Sequence, residues 1–144
     1  GLVGSEMCIR DSLQIAADRF LPCTVDNYPT GDIADVTGTP MDFRTPRQVD
    51  VGNDHFDHNF CLSDTRLPLR DALTLTGVSG VRMTLATTET GVQIYDGRDT
   101  PHKFEALAIE AQSWPDAPNN RKFPSIRLPK GDTYEQTTQW RFTR

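Results

Sequence analysis

The chain has 144 residues, a formal net charge of −5 and 36% hydrophobic residues. That is enough for one domain, but its mean hydropathy of −0.52 leaves a thin apolar supply for a core. The acidic balance argues against a nucleic-acid backbone as partner, which would need a basic face, and no apolar run approaches the ~20 residues of a membrane-spanning helix.

Residues 1–12, GLVGSEMCIRDS, show no strong periodicity and lack the basic start and long apolar stretch of a signal peptide. They are expected to be a cloning or assembly scar joined to the rest near Leu13, with a disordered native tail as the alternative. From Leu13 onward the ten prolines, ten glycines and absence of helical spacing predict an all-β chain over 13–144. Residues 13–22 give a short strand ending at Pro22. Pro29, Gly31, Gly38, Pro40 and Pro46 then leave little room for regular structure. Leu67, Leu69, Leu73 and Leu75 alternate with polar residues, interrupted at Asp71, and Val81, Met83 and Leu85 do the same after a turn at 77–80. An antiparallel pair with one buried face is the expectation. Val92 and Ile94 mark another strand, and 104–112 a further one. Strands at 123–128 and 134–142, joined by a hairpin turn at Lys130-Gly131-Asp132, are expected to close the chain. Tyr134, Trp140 and Phe142 share a face there and read as sheet core rather than as a sugar-stacking platform. Strands at this spacing predict a sandwich or barrel.

Cys8, Cys23 and Cys61 form neither an even disulfide framework nor a C-x-x-C pair. No metal site is expected, and a reducing cytoplasm is the expected compartment.

In the strand at 104–112, Leu107 and Ile109 point to one face, and Ala106, Ala108, Glu110 and Gln112 to the other. An acid beside two alanines reads either as a carboxylate facing a space left for something small and polar, or as an ordinary solvent-facing Glu. The strand ends where Pro115, Asp116 and Pro118 punctuate the chain.

Four collinear stretches carry a resemblance: PTGDIADVTGTPMDFRTP from Pro29 to Pro46, FDHNF from Phe56 to Phe60, GVQIYDG from Gly91 to Gly97, and E-x-Q-x-x-P-D-x-x-N from Glu110 to Asn119. Together they resemble the aldose 1-epimerases, or galactose mutarotases. The likeness runs from about Leu13 to Phe142 and corresponds to the later part of that family's longer domain. It implies an all-β, galactose mutarotase-like β-sandwich (a supersandwich), here as an incomplete domain. The implied reaction interconverts the α- and β-anomers of an aldohexose such as glucose or galactose by general acid/base ring opening, with no metal or organic cofactor.

By the same resemblance Glu110 is the general base, its pKa raised by a site poor in water. Asp57 accepts hydrogen bonds from sugar hydroxyls, the alternative being a turn cap after Gly52-Asn53-Asp54. Gln93 offers an amide that both donates and accepts. Asn59 shares the strand face of Asp57 and stands behind it. Thr30-Gly31-Asp32 shapes a turn, and Arg44 serves loop architecture. His58 points away from the site, His55 sits in a turn and His102 in a loop. One departure stands out: the family commonly reads Tyr-Thr-Gly-Asn where this chain has Tyr95-Asp96-Gly97-Arg98. The added charges either alter specificity at the pocket rim or lie in solvent.

The histidine that protonates the ring oxygen in the family belongs to an upstream motif that nothing here matches, so little or no activity is expected of this chain alone. Three other readings remain: a hexose-phosphate epimerase, disfavoured because no basic residues accompany Asp57 and Glu110; a noncatalytic carbohydrate-binding β-sandwich retaining Asp57 and Gln93; and a glycosidase using Asp57 and Glu110 as a carboxylate pair. The expected partner is the aldohexose, with neither nucleic acid nor membrane.

Overall fold

Two-residue alternation becomes two antiparallel sheets in the computed structural model, which describes residues 2–3, 11–52 and 54–144. The strands in chain order are β1 (Leu2–Val3), β2 (Ser12–Ile15), β3 (Arg19–Phe20), β4 (Ala34–Asp35), β5 (Arg47–Gln48), β6 (Asp57–Cys61), β7 (Arg70–Thr76), β8 (Arg82–Thr87), β9 (Gly91–Tyr95), β10 (Leu107–Gln112) and β11 (Thr138–Thr143). Among the described residues one sheet runs β1-β10-β9-β6-β3-β4 and the other β11-β8-β7-β2-β5. A 3-10 turn at Ala117–Asn119 is the only helical element among them.

The sheets face each other through their apolar rows. Leu13, Ile15, Leu73, Leu75, Met83 and Leu85 from the second sheet meet Phe60, Val92, Ile94, Leu107 and Ile109 from the first. Phe43 and Phe56 fill the space between, their rings 5.6 Å apart. Each such side chain, taken out of water, contributes roughly 1.5–3 kcal/mol. A smaller apolar cluster of Leu21, Cys61, Trp114, Ala117 and Phe123 lies apart from this core.

The clearest expectation holds in β7 and β8, which pair around the turn closed by Gly77 N–H to Val81 O at 2.9 Å. The alternation does not reach as far back as expected, because Leu67 and Leu69 precede the strand and are exposed, and the register slips between Asp71 and Leu73. β10 begins at Leu107 rather than 104, since Phe104 takes a positive φ of 61° that no strand accommodates. Ala106 therefore precedes the strand and packs against the core instead of standing beside Glu110.

The expected strand at 123–128 is absent. Pro124 and Pro129 remove donors at both ends of that run, and Ile126 and Leu128 are left exposed. A turn does form, with Asp132 N–H bonded to Pro129 O at 3.1 Å, but it joins no pair of strands. The expected aromatic core face also fails in part: Trp140 packs against the core, whereas Phe142 is 59% and Tyr134 47% exposed. Of the segment 1–12, residues 1 and 4–10 lie outside the described residues; Leu2–Val3 pairs with β10 and Ser12 opens β2.

Candidate active site

The strands β6, β9 and β10 lie side by side, and their alternation divides two tasks between two faces. His58, Phe60, Val92, Ile94, Leu107 and Ile109 take the inner positions, with the apolar ones in the core. The other positions present Asp57 and Asn59 from β6, Gln93 and Tyr95 from β9, and Glu110 and Gln112 from β10, all lining one cleft of about 390 Å³. That volume suits a small polar ligand. In register, Asn59 stands opposite Gln93 and Gln93 opposite Glu110, while Asp57 and Ala108 flank Tyr95 in the next row. Asp57 and Glu110 are thus two strands and two residues apart, about 12 Å between Cα atoms by standard sheet spacings.

Hydrogen bonding ties the middle of this face together. Gln93 Nε2–H donates to Asp57 Oδ1 at 2.8 Å, and Gln93 Oε1 has no partner among the described residues. Asn59 is buried, and its carboxamide finds no nitrogen or oxygen partner among the described residues. It lies over Gly91, where a Cβ would collide with it. Glu110 is exposed, which corrects the expectation of a base shielded from water: Ala108 is the only neighbour on its own strand in that direction within β10, and it is small.

Leu21, Cys23, Asn27, Pro29, Asp99 and Pro115 complete the cleft. Cys23 and Pro29 form an isolated antiparallel bridge that folds residues 24–28 into a tight loop, with Asn27 in the left-handed region at φ 63°. The Cys23 thiol donates to the Asp57 carbonyl oxygen at 3.6 Å, and burial raises its pKa. Burial pushes the Cys61 thiol up to about 12; both are free cysteines, and Cys8 lies outside the described residues. Tyr95 could have been found from its i+2 spacing to Gln93. Cys23, Asn27 and Pro29 carry no periodic signal.

The stretch from Glu110 to Asn119 divides in two. Glu110, Gln112 and Pro115 line the cleft, whereas Asp116, at φ 59°, builds the turn by accepting from Asn119 Nδ2 at 2.5 Å and Asn120 Nδ2 at 2.9 Å. Trp114 anchors that turn: its Nε1–H donates to Thr90 O at 2.9 Å and its ring meets Phe123 edge-on at 5.4 Å.

Neither expectation for Asp96 and Arg98 is met. Asp96 is fully buried and paired with Arg98 Nη2 at 2.6 Å, in neither solvent nor the cleft lining. Arg44 does serve its loop, bonding Asp42 at 2.7 Å and Thr37 Oγ1 at 3.0 Å. His58 meets the edges of Phe20 and His55 at 5.8 and 5.9 Å, and burial, with His55 beside it, lowers its pKa. His102 pairs with Glu105 at 3.4 Å. Among the described residues the cleft is lined by no histidine, lysine or arginine, and no group of three or more His, Cys, Asp or Glu is placed to hold a metal ion. None of the described helices is long and apolar enough to cross a membrane.

The aldose 1-epimerase family model matches residues 6–141. The chain is similar to galactose mutarotase of Rattus norvegicus, 35% identical over 97% of this chain and 46% of that protein. It is also similar to aldose 1-epimerase of Escherichia coli (strain K12), 26% identical over 98% of this chain and 47% of that protein. In structure it is similar to the aldose epimerase homologue from C. elegans, with a TM-score of 0.86 and 25% identity over 99% of this chain and 48% of that one. The chain spans about half the length of the relatives it matches.

Proposed function

The chain belongs to the aldose 1-epimerase family, and from that premise we propose that its cleft supplies the base and part of the sugar-binding surface of a mutarotase acting on an aldohexose such as glucose or galactose. One observation carries the reading: Asp57, Gln93 and Glu110, from three adjacent strands, line the same cleft on the same sheet face. In this scheme Glu110 takes the proton from the C1 hydroxyl. Asp57 accepts from hydroxyls near the reacting carbon, and Gln93, already donating to Asp57, offers its Oε1, which has no partner among the described residues, to another hydroxyl. Ring opening gives an aldehyde, rotation about the adjacent bond turns its face, and closure returns the other anomer.

The reaction also needs an acid for the ring oxygen, a contribution of typically ~10²–10⁴-fold. No described residue lining the cleft is a histidine, so the scheme assigns that proton to a group other than these lining residues. The chain alone is then expected to exchange anomers little faster than buffer. Asp57, Asp99 and Glu110 in a lining without Lys or Arg favour a neutral sugar over a phosphorylated one.

The test is exchange NMR on α- and β-galactose and glucose with the 144-residue chain, with and without imidazole as an external acid. Acceleration that requires imidazole and vanishes in Glu110→Gln supports the scheme. Native-like turnover without imidazole would refute the missing-acid claim. The exposed Glu110 and a lining that holds no histidine among the described residues favour a second reading, a noncatalytic carbohydrate-binding surface. That reading prevails if sugar binds and exchange is not accelerated under either condition.

A further inference from the structure

The start of β6 is held by a device outside the cleft. Phe56, fully buried in the core, ends both of its backbone groups on one residue: its N–H donates to Asp96 Oδ2 at 3.1 Å, and its C=O accepts from Asp96 N–H at 2.9 Å. Asp96 is itself fully buried. Its carboxylate also accepts from Arg98 Nη2 at 2.6 Å, from Arg98 Nε at 3.1 and 3.2 Å, and from the Arg98 backbone N–H at 3.1 Å. Arg98 Nη2 goes on to the Asp54 carbonyl at 2.7 Å. The next residue after Phe56 is Asp57.

A buried ion pair adds little net stability over an apolar pair of similar volume, whereas loss of one partner strands a charge. Its distinctive contribution here is geometric. Asp96, one residue beyond the row in which Asp57 stands opposite Tyr95, and Arg98 fasten residues 54 and 56 to the end of β9, the strand that carries Gln93. We propose that the Asp96–Arg98 pair positions the Asp57 carboxylate for its bond to Gln93 and for sugar hydroxyls. The sugar half of this inference rests on the proposed role of Asp57; the Gln93 half does not.

The experiment uses the isotopically labelled 144-residue chain, comparing wild type with Asp96→Ala, Asp96→Asn and Asp57→Ala. Three readouts are followed: hydrogen exchange at the Phe56 amide, the Gln93 side-chain NH₂ resonance, and the affinity for galactose by titration. In Asp96→Ala, with the Val92, Ile94 and Leu107 resonances unmoved, Phe56 exchange should rise about tenfold or more as its buried acceptor is lost. The Gln93 resonance should move toward its position in Asp57→Ala, and galactose affinity should fall about tenfold. Asp96→Asn, which keeps an acceptor for Phe56 but loses the charge that holds Arg98, should show each change in the same direction and smaller. If Asp96→Ala does not fold, Asp96→Asn compared with wild type decides, and a shifted Gln93 resonance and weaker binding are expected. A folded variant with Phe56 exchange and the Gln93 resonance both at wild-type values overturns the proposal. If wild type binds no galactose, or Asp57→Ala binds it equally well, the hydroxyl-acceptor reading of Asp57 fails, and the Gln93 resonance still decides whether the pair positions it.

Discussion

Asn59 and Gly91 share one small volume between neighbouring strands, and neither can grow without displacing the other. Overfilling such a space typically costs about 1–3 kcal/mol. Gly91→Ala should therefore lower the unfolding free energy by that much, read as a lower urea midpoint, and the displaced Asn59 amide should shift Gln93 opposite it. An unchanged midpoint would show that the carboxamide swings away freely. His58 makes a pH prediction. Burial, reinforced by His55, lowers its pKa, opposed by the charges of Asp57 and Asp96, and the ring accepts from the Asp57 N–H at 3.2 Å as a neutral imidazole must. The folded chain thus disfavours the protonated form. This contribution to stability is complete above the unfolded histidine value of about 6.5 and is lost as pH falls through the lower folded value. Urea midpoints should drop between pH 7.5 and 5.5, and His58→Gln should flatten that drop more than His102→Gln, which alters an exposed loop.

Among the elements, the end of β10 depends on Trp114, which reaches from the turn at 113–116 back to Thr90. Trp114→Ala should cost about 3–5 kcal/mol by denaturation. Trp114→Phe should cost only about 1 kcal/mol, because Thr90 O keeps its bonds from Leu62 and Ser63 N–H. A larger loss in Trp114→Phe would mean that packing against Phe123, not the hydrogen bond, sets the turn. Such long-range dependence explains what could be read in advance. β7 to β10 were legible because one buried face forces a period of two, and that same period put Glu110 and Gln93 on the shared face. The run 123–128 carries Phe123, Ile126 and Leu128, yet Pro124 and Pro129 remove donors at its ends and no strand among the described residues receives its backbone, a missing partner that apolar residues alone do not reveal. Cys23, Asn27 and Pro29 reach the cleft through a loop closure that leaves no periodic trace. Asp96 and Arg98 looked like surface charges because sequence shows a charge and hides the burial around it.

For the whole molecule, the second sheet ends on β11, whose outer edge pairs with nothing among the described residues. Phe142 stands opposite Met83, a core residue, yet is 59% exposed. The core row thus runs out into solvent at that edge. Open edges with apolar side chains favour association. Sedimentation velocity should show self-association rising with concentration, and Phe142→Lys should reduce it. A monomer at all concentrations would mean that the edge is protected as it stands.

The division of β6, β9 and β10 into a cleft face and a core face also governs how this protein can vary over generations. Substitutions at Gln112 or Tyr95 can remodel the cleft surface while Ile94 and Ile109, pointing the other way, keep the interior unchanged. The two faces can drift independently as long as changes are replacements. Insertion or deletion of one codon within β9 or β10 is different, since a one-residue slip exchanges the faces. Gln93 would enter the interior and Ile94 the cleft, so stability and chemistry would fail in the same event. Length variation should therefore collect in the loops and be absent from these strands.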